Sequence, residues 1–224
     1  MPQERYLRAF AFNQIPILHP ALLYDDCDGT FNWVASGDGA DWVAQYDTSV
    51  PYVGTNGLLL RTRATAPAAN DNVSVVKRLW LPPNHLGRVQ LVVRPVTHNQ
   101  DLFIQVALLW FDGVHLHTAQ IRIDTNARII RYRNAAGTWT TIFTDALESA
   151  VGAWNHLDFY ADFAHQLYGY LTFNHETVDL TGVRVLTGMD ATQIHLELVL
   201  WLEISGVVQG GCAFDQILLT SETL

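Results

Sequence analysis

The sequence is short of the residues that mark several common classes of protein. Lys77 is the only lysine, and Cys27 and Cys212 are the only cysteines. The 22 acidic residues outnumber the 13 basic residues. The formal net charge of −9 repels nucleic acid and anionic membranes, so we expect neither as a partner. Two cysteines without a CxxC pattern do not indicate a cysteine-based metal site, and a disulfide between them stays an open alternative.

Long apolar runs and targeting signals are also missing. No segment reaches the roughly 18 consecutive apolar residues of a membrane-spanning helix. The N-terminal residues lack the layout of a secretory signal, so we expect synthesis in the cytoplasm without a signal peptide. A Gly-x-Ser-x-Gly nucleophile elbow and a phosphate-binding glycine loop are absent, which removes two common kinds of active site.

What the chain does contain is a succession of short segments with a hydrophobic residue at every second position, separated by turn residues. This pattern predicts an all-β fold, namely a two-sheet antiparallel β-sandwich of the jelly-roll type in one domain over residues 25–224. Residues 1–24 have no clear period. We interpret them as an extended arm, or equally as one more strand of the sandwich. Strands are predicted at 57–63, 73–81, 88–93, 102–111, 114–124, 128–133, 138–143, 154–161, 167–173, 176–180, 193–204 and 212–220, and a helical turn only at 144–150.

The alternation also predicts which side chains face outward. In 154–162, 167–173 and 193–204 one face is aliphatic and the other carries His, Tyr, Trp and carboxylates. If these strands share a sheet, its outer face suits a sugar, because aromatic rings stack on pyranoses and carboxylates accept hydrogen bonds from hydroxyls. A plain solvated face or a protein interface is the alternative. The candidate ligand-binding residues are Trp139, His156, Asp158, Tyr160, Tyr168, Tyr170, His195, Glu197 and Trp201.

Carboxylates and imidazoles supply the candidate metal ligands. If the terminal strands are neighbours, four aspartates could surround a structural calcium ion, although an Asp-rich turn accounts for the same pattern. We expect no other cofactor. His115 and His117 lie two apart on one strand and could share a metal, but no third ligand is evident and a solvated strand face is favoured. The candidate calcium ligands are Asp25, Asp26, Asp28 and Asp215.

Several short motifs resemble the concanavalin A-like and laminin G-like jelly-roll superfamily. The segments at 152–163 and 168–175 are similar to its Gly-x-Trp-x-x-Leu strand and the strand that follows. The segments at 25–33 and 213–219 are similar to its paired terminal strands. The resemblance implies the fold and a range of roles, since the superfamily includes lectins, carbohydrate-binding modules, glycosidases, adhesion domains and viral surface proteins.

The sequence departs from the catalytic members of that superfamily at one motif. The Glu-x-Asp-x-x-Glu strand of the β-glucan-cleaving enzymes is missing. Asp158 and Glu197 could act as a carboxylate pair only if their strands were adjacent. We therefore predict a protein that is not an enzyme: a binding or assembly module, such as a capsid decoration or tail component at a phage surface, that self-associates or docks on a protein through its arm and sheet face. A carbohydrate-binding, lectin-like module is the alternative, and a glycan hydrolase or lyase is less favoured.

Overall fold

The computed structural model describes residues 21–80, 85–96, 102–144, 152–190 and 193–221. Within these ranges the backbone forms sixteen strands and no helix, so no described helix could cross a membrane. Most of the predicted arm, residues 1–20, and nearly all of the predicted helical turn, 145–150, lie outside the described residues.

The observed strands confirm the period-two interpretation. Each of the twelve predicted strands is present, with ends that shift by a few residues. Four further strands were not predicted, and three of them precede residue 48. The strands are β1 Ala21–Asp25, β2 Val34–Gly37, β3 Val43–Asp47, β4 Gly57–Arg61, β5 Asn72–Leu79, β6 Leu86–Pro95, β7 Leu102–Phe111, β8 His115–Asp124, β9 Ile129–Arg133, β10 Trp139–Phe143, β11 Asn155–Asp162, β12 Leu167–Phe173, β13 Glu176–Asp179, β14 Leu186–Met189, β15 His195–Ile204 and β16 Gly211–Thr220.

The strands form two antiparallel sheets of eight strands each. The first sheet has the order β13-β12-β11-β6-β16-β4-β3, and β1 also pairs with β16. The second sheet has the order β10-β9-β8-β7-β15-β5-β2, and β14 also pairs with β8. The pairing of β1 with β16 confirms that the two ends of the domain are neighbours, and it places residues 21–24 of the predicted arm in the first sheet.

The core lies between the two sheets and is built from the aliphatic face of each strand. Leu91 and Phe159 from the first sheet and Leu198 and Leu200 from the second sheet are all fully buried in one cluster. Removal of such a side chain typically costs about 2–5 kcal/mol. Both cysteines belong to this cluster as free thiols, and no disulfide joins them.

Tyr168 corrects one prediction about the faces. Alternation placed it outward beside Tyr170, but its side chain is 1% exposed and lies in the core. The cause is a bulge: Tyr160 pairs with Tyr170 and Ala161 pairs with Tyr168, so Gly169 is an extra residue that reverses the faces.

The hydroxyl of Tyr168 also ties the two sheets together. It accepts a hydrogen bond from the amide of Gln120 on β8 at 2.8 Å and lies 2.9 Å from the carbonyl of Arg133 on β9, to which it donates. On one side of β8, residues 115–118 pair with β14 and residues 121–124 pair with β9. The backbone groups near Gln120, between these two segments, have no strand partner on that side. A phenol from the opposite sheet satisfies them.

Candidate functional site

The structure divides the predicted binding residues between two outer faces. β11 and β12 belong to the first sheet, whereas β10 and β15 belong to the second. The expectation of one shared aromatic and acidic surface is therefore wrong. Alternation predicts which side chains of a strand face outward, but it does not predict to which sheet the strand belongs. Asp158 and Glu197 lie on different sheets and cannot form a carboxylate pair.

The outer face of the first sheet is organised around Asp158. The Nε and Nη2 atoms of Arg88 donate to its two carboxylate oxygens at 2.9 and 2.6 Å. Gln90 donates from its side-chain amide at 2.9 Å, and the Tyr170 hydroxyl donates at 3.3 Å. The side chain of Asp158 is only 8% exposed. Its hydrogen-bonding capacity is taken up by the protein itself, which is the pattern of a structural ion pair.

Its neighbours on this face are also packed into the protein. Burial lowers the pKa of His156 to about 4, against a partly compensating attraction from Asp158. Tyr160 stacks on Tyr170 with ring centres 6.0 Å apart. Further along, the guanidinium of Arg94 lies 4.8 Å from the ring centre of Trp154. This face therefore offers few side chains that are free for a ligand.

The outer face of the second sheet carries a continuous row of large side chains. Cross-strand register places Trp201 of β15 beside Gln105 of β7, Gln105 beside Arg122 of β8, and Arg122 beside Arg131 of β9. Trp139 of β10 pairs with the last residue of β9 and extends the row to the sheet edge. Trp201 and Trp139 thus stand four strand spacings apart, which is about 19 Å along the sheet.

Arg122 lies near the middle of this row. Its guanidinium carbon is 3.4 Å from the ring centre of Phe103 and 5.3 Å from that of Trp139. Burial lowers its pKa, although the charges of Glu203 and Asp124 work in the opposite direction. Its Nε atom is buried and has no hydrogen-bond partner in the described part of the chain. The aromatic rings hold the guanidinium in place and leave donor capacity unused.

A chain of amides lies next to Arg122 and fixes the polar groups of the face. Gln105 donates from its amide to Glu203 at 3.2 Å, and Gln120 donates to the Gln105 carbonyl oxygen at 2.5 Å. Arg133 in turn donates to Gln120 at 3.2 Å. Both glutamines are about 5% exposed. Such a network orients its members in advance, before any ligand arrives.

Three tryptophans occupy this face or its ends. The buried Nε1 of Trp201 has no hydrogen-bond partner within the described ranges. Trp80, just after β5, is 62% exposed and lies 5.5 Å from the ring of His195. His195 stacks on Phe111 at 4.1 Å, and its Nε2 lies 3.2 Å from Glu197, which also pairs with an arginine. Trp201 is therefore the tryptophan with an unused donor, whereas His195 and Glu197 are already paired.

The four predicted calcium ligands do not converge on one point. Asp25 accepts hydrogen bonds from the Trp33 indole and the Tyr46 hydroxyl, and Asp28 accepts them from the 55–56 backbone. Asp215 accepts them from the amides of Tyr52 and Val53. No three of these carboxylates, Asp26 included, group closely in the described residues, so calcium stays a prediction. The described residues do bring one other set of metal-type ligands together: Asp112, His115 and His117.

Comparison with known proteins identifies the fold. No family model matches the chain, and no curated protein sequence matches it. Among solved structures, an endo-β-1,4-glucuronan lyase of the fungus Trichoderma reesei matches with a TM-score of 0.62 at 12% identity, over 91% of this chain and 96% of the lyase.

Two bacterial structures agree with it. A β-glucanase of Bacillus licheniformis matches with a TM-score of 0.54 at 9% identity, over 92% of this chain and 100% of the glucanase. A Bacillus subtilis protein of unknown function with a galectin-like fold matches with a TM-score of 0.54 at 9% identity, over 90% of this chain and 96% of that protein. The chain has the concanavalin A-like jelly-roll fold. At these identities the likeness extends to the fold alone.

The comparisons overturn the prediction that this jelly roll is not an enzyme. That prediction took the missing Glu-x-Asp-x-x-Glu strand as evidence against catalysis. The lyase and the glucanase are enzymes built on the same fold over nearly the whole chain, so the absence of one motif does not exclude activity. The low identity does not establish an activity either.

Sequence reasoning missed the residues that surround Trp201 and Trp139. Gln105 interrupts a strand that is otherwise apolar, and Gln120 and Arg122 alternate with apolar residues in β8; these positions were the available signal. Trp80 lies inside the predicted strand 73–81 and was not among the candidate binding residues. Asp112 lies between the predicted strands 102–111 and 114–124 and was not a candidate ligand; besides forming the turn, its carboxylate contacts His117.

Proposed function

We propose that the protein binds a polysaccharide along the outer face of the second sheet. The observation that carries the proposal is the pair Trp201 and Arg122, whose buried Nε1 and Nε donors lack partners among the described residues, on a face flanked by aromatic rings. A buried donor without a partner costs about 1–3 kcal/mol. A ligand hydroxyl or carboxylate would supply the missing acceptors after a small rotation of these side chains.

The spacing of the strands that carry Trp201 and Trp139 supports an extended ligand rather than a single sugar. The backbones of the two tryptophans lie about 19 Å apart along the sheet. The amides of Gln105 and Gln120 and the guanidinium of Arg122 lie between them. Aromatic platforms at both ends with oriented polar groups between them are what a polymer of linked pyranoses requires.

The two named enzymes guide the choice of polymer. One is a lyase of β-1,4-glucuronan and the other is a glucanase. The guanidinium of Arg122 would suit the carboxylates of an acidic polymer, whereas the tryptophans suit either polymer. A panel that pairs an acidic with a neutral polysaccharide therefore distinguishes the contributions of charge and of stacking.

Affinity electrophoresis of the full chain in gels with glucuronan, β-glucan or no polymer tests the proposal. We expect retardation by at least one polymer, which Trp201→Ala abolishes. Tyr170→Ala, which removes an aromatic ring from the first sheet, is the matched control and should keep the retardation. The same incubations are assayed for newly formed chain ends, so that cleavage is measured alongside binding. Equal retardation of both variants, or none with any polymer, contradicts the proposal.

The role at a phage surface stays a prediction. That prediction depended on the N-terminal arm, residues 1–24. Residues 1–20 of the arm lie outside the described residues. Light scattering after size-exclusion chromatography of the full chain and of a chain without these residues is the relevant measurement. Self-association that is lost on truncation is the expected result, and a monomer in both cases counts against it.

A further inference from the structure

We propose that Asp112, His115 and His117 bind a divalent transition-metal ion of the zinc class. The residues lie at the hairpin that joins β7 to β8, at one end of the second sheet. Their ligand atoms all lie within 4.8 Å of one another. The site is independent of the proposed glycan face: His117 and Arg122 are five residues apart on β8, which corresponds to about 16 Å.

The hairpin turn fixes the orientation of the Asp112 carboxylate. Oδ1 of Asp112 accepts hydrogen bonds from the amides of Val114 and His115 at 2.8 and 2.6 Å. This turn geometry fixes the side chain and directs the second oxygen, Oδ2, towards the two imidazoles. The turn therefore uses one carboxylate oxygen and leaves the other available as a ligand.

The distances match a tetrahedral ion. Oδ2 of Asp112 lies 3.1 Å from Nε2 of His117 and 3.4 Å from Nδ1 of His115. Zinc binds imidazole nitrogen and carboxylate oxygen at about 2.0–2.2 Å, and tetrahedral angles then place neighbouring ligand atoms about 3.3 Å apart. An ion seated among the three atoms would need only small shifts of the side chains.

His117 is held as metal-binding histidines usually are. Its side chain is buried, and its Nδ1 lies 3.0 Å from the hydroxyl of Thr187 on β14. Thr187 is the direct cross-strand partner of His117. The tautomer in which Nδ1 donates to that hydroxyl leaves the lone pair of Nε2 available to an ion bound beside Asp112. Such second contacts fix the tautomer and orientation of the ligand.

A second hairpin shows what turn chemistry alone produces. His165 follows Asp162 by three residues, as His115 follows Asp112, and its amide donates to Asp162 Oδ1 at 3.1 Å. Its Nδ1 lies 2.7 Å from Asp162 Oδ2. No third ligand joins this pair in the described residues. His117 is the addition that turns a common Asp-His pair into a three-ligand cluster.

The ligand set defines the class of ion. Two imidazoles and one carboxylate suit zinc and its neighbours in the first transition row, whereas calcium and magnesium prefer oxygen ligands. The side chains of His115 and Asp112 remain 42% and 31% exposed, so a fourth position can be taken by water. Three protein ligands with an open position resemble the composition of reactive rather than purely structural zinc sites.

Titration of chelator-treated protein with Co²⁺ and Zn²⁺ tests the site. We expect one ion per chain, a visible Co²⁺ absorption typical of four-coordination, and its displacement by Zn²⁺. His117→Gln and Asp112→Asn should each weaken binding by at least tenfold, and Thr187→Val by roughly tenfold. His165→Gln is the matched control and should bind like the unmodified protein.

Two outcomes would overturn the site: the absence of a one-to-one complex, and equal affinity in His117→Gln and His165→Gln. Thermal melts of every variant establish that folding is intact. If Asp112→Asn unfolds the hairpin, the exposed ligand His115 replaces it in the comparison through His115→Gln.

Discussion

The outer faces of the two sheets carry similar residue types but use them differently. On the first sheet, Asp158 receives donors from Arg88, Gln90 and Tyr170, so its polar groups satisfy one another. On the second sheet, Trp201 and Arg122 keep donors that no described residue accepts. Composition alone does not separate a stabilising face from the proposed binding face. What separates them is whether the hydrogen bonds close within the protein.

Arg94 shows that the number of donors without a partner does not by itself distinguish the two faces. Its Nε on the first sheet also lacks a partner within the described ranges. However, its guanidinium stacks on Trp154, and its Nη2 donates to the carbonyl of Ser49 at 3.3 Å. Trp154 packs on a small hydrophobic cluster beneath the loop that follows β3. The protein's own loop therefore occupies this part of the first face.

The largest expected effect lies on the first face. Asp158→Ala leaves the Arg88 guanidinium, which is 29% exposed, without its carboxylate. We expect the free energy of unfolding to fall by about 3 kcal/mol, towards the lower end of the range for a broken buried pair. Urea denaturation measures this. Retardation by polysaccharide should persist at a temperature where the variant is folded, and its loss in the folded variant would contradict the division of roles.

Acid should destabilise the first face through His156. Its pKa in the folded protein is about 4, below the ordinary value of 6.5, because burial disfavours the charged form. The unfolded chain therefore binds more protons between pH 6.5 and 4, and stability falls as the pH decreases through that window. We expect a loss of ~2–3 kcal/mol between pH 7 and 4.5 from this residue.

The control for the acid effect is His156→Asn, which removes the titrating group. Urea denaturation of both proteins at the two pH values isolates the contribution of His156, because the other titrating groups are common to both. An identical decrease in the two proteins would show that His156 is not responsible.

On the second face the expected effects appear in binding. Trp201→Ala removes an aromatic platform and its indole donor. We expect the affinity for the polysaccharide to fall by about 2 kcal/mol, or roughly thirtyfold, as for a buried tryptophan at an interface. Isothermal titration calorimetry measures this, and the melting temperature provides the check on folding. An unchanged affinity would remove Trp201 from the site.

Arg122→Gln should have the smallest effect. Loss of the guanidinium removes one unused donor and should lower the affinity by about 1 kcal/mol, or roughly fivefold. Arg131→Gln is the matched control, because it removes the same charge from the same face while its guanidinium lies 3.8 Å from Asp124. Equal losses in the two variants would indicate a general effect of charge rather than a specific contact.

The sequence was sufficient for the strands and the core, since burial on one face imposes alternation whatever the partner strand. Leu157, Phe159 and Leu198 lie inward as predicted. The four-residue strands β2, Val-Ala-Ser-Gly, and β14, Leu-Thr-Gly-Met, escaped prediction because each contains a glycine, which weakens the strand signal. Tyr168 was placed on the wrong face because the bulge at Gly169 depends on pairing with β11.

The candidate sites were harder to predict from the sequence than the strands were. The assignment of β11 and β15 to different sheets is a property of the topology, and no local pattern encodes it. His115 and His117 were recognised as neighbours on one strand, but Asp112, which precedes that strand, was not recognised as the third ligand. Its second oxygen is directed at the imidazoles only once β8 has paired with β7.

The indole N–H resonances of the tryptophans test the central claim most directly. In a ¹H–¹⁵N spectrum recorded during titration with the retarding polysaccharide, we expect the signals of Trp201 and Trp139 to move. Trp33, whose indole donates to Asp25 at 2.7 Å, and Trp154 on the first sheet should stay in place. Movement of Trp154 with Trp201 and Trp139 unchanged would place the ligand on the opposite face and contradict the account.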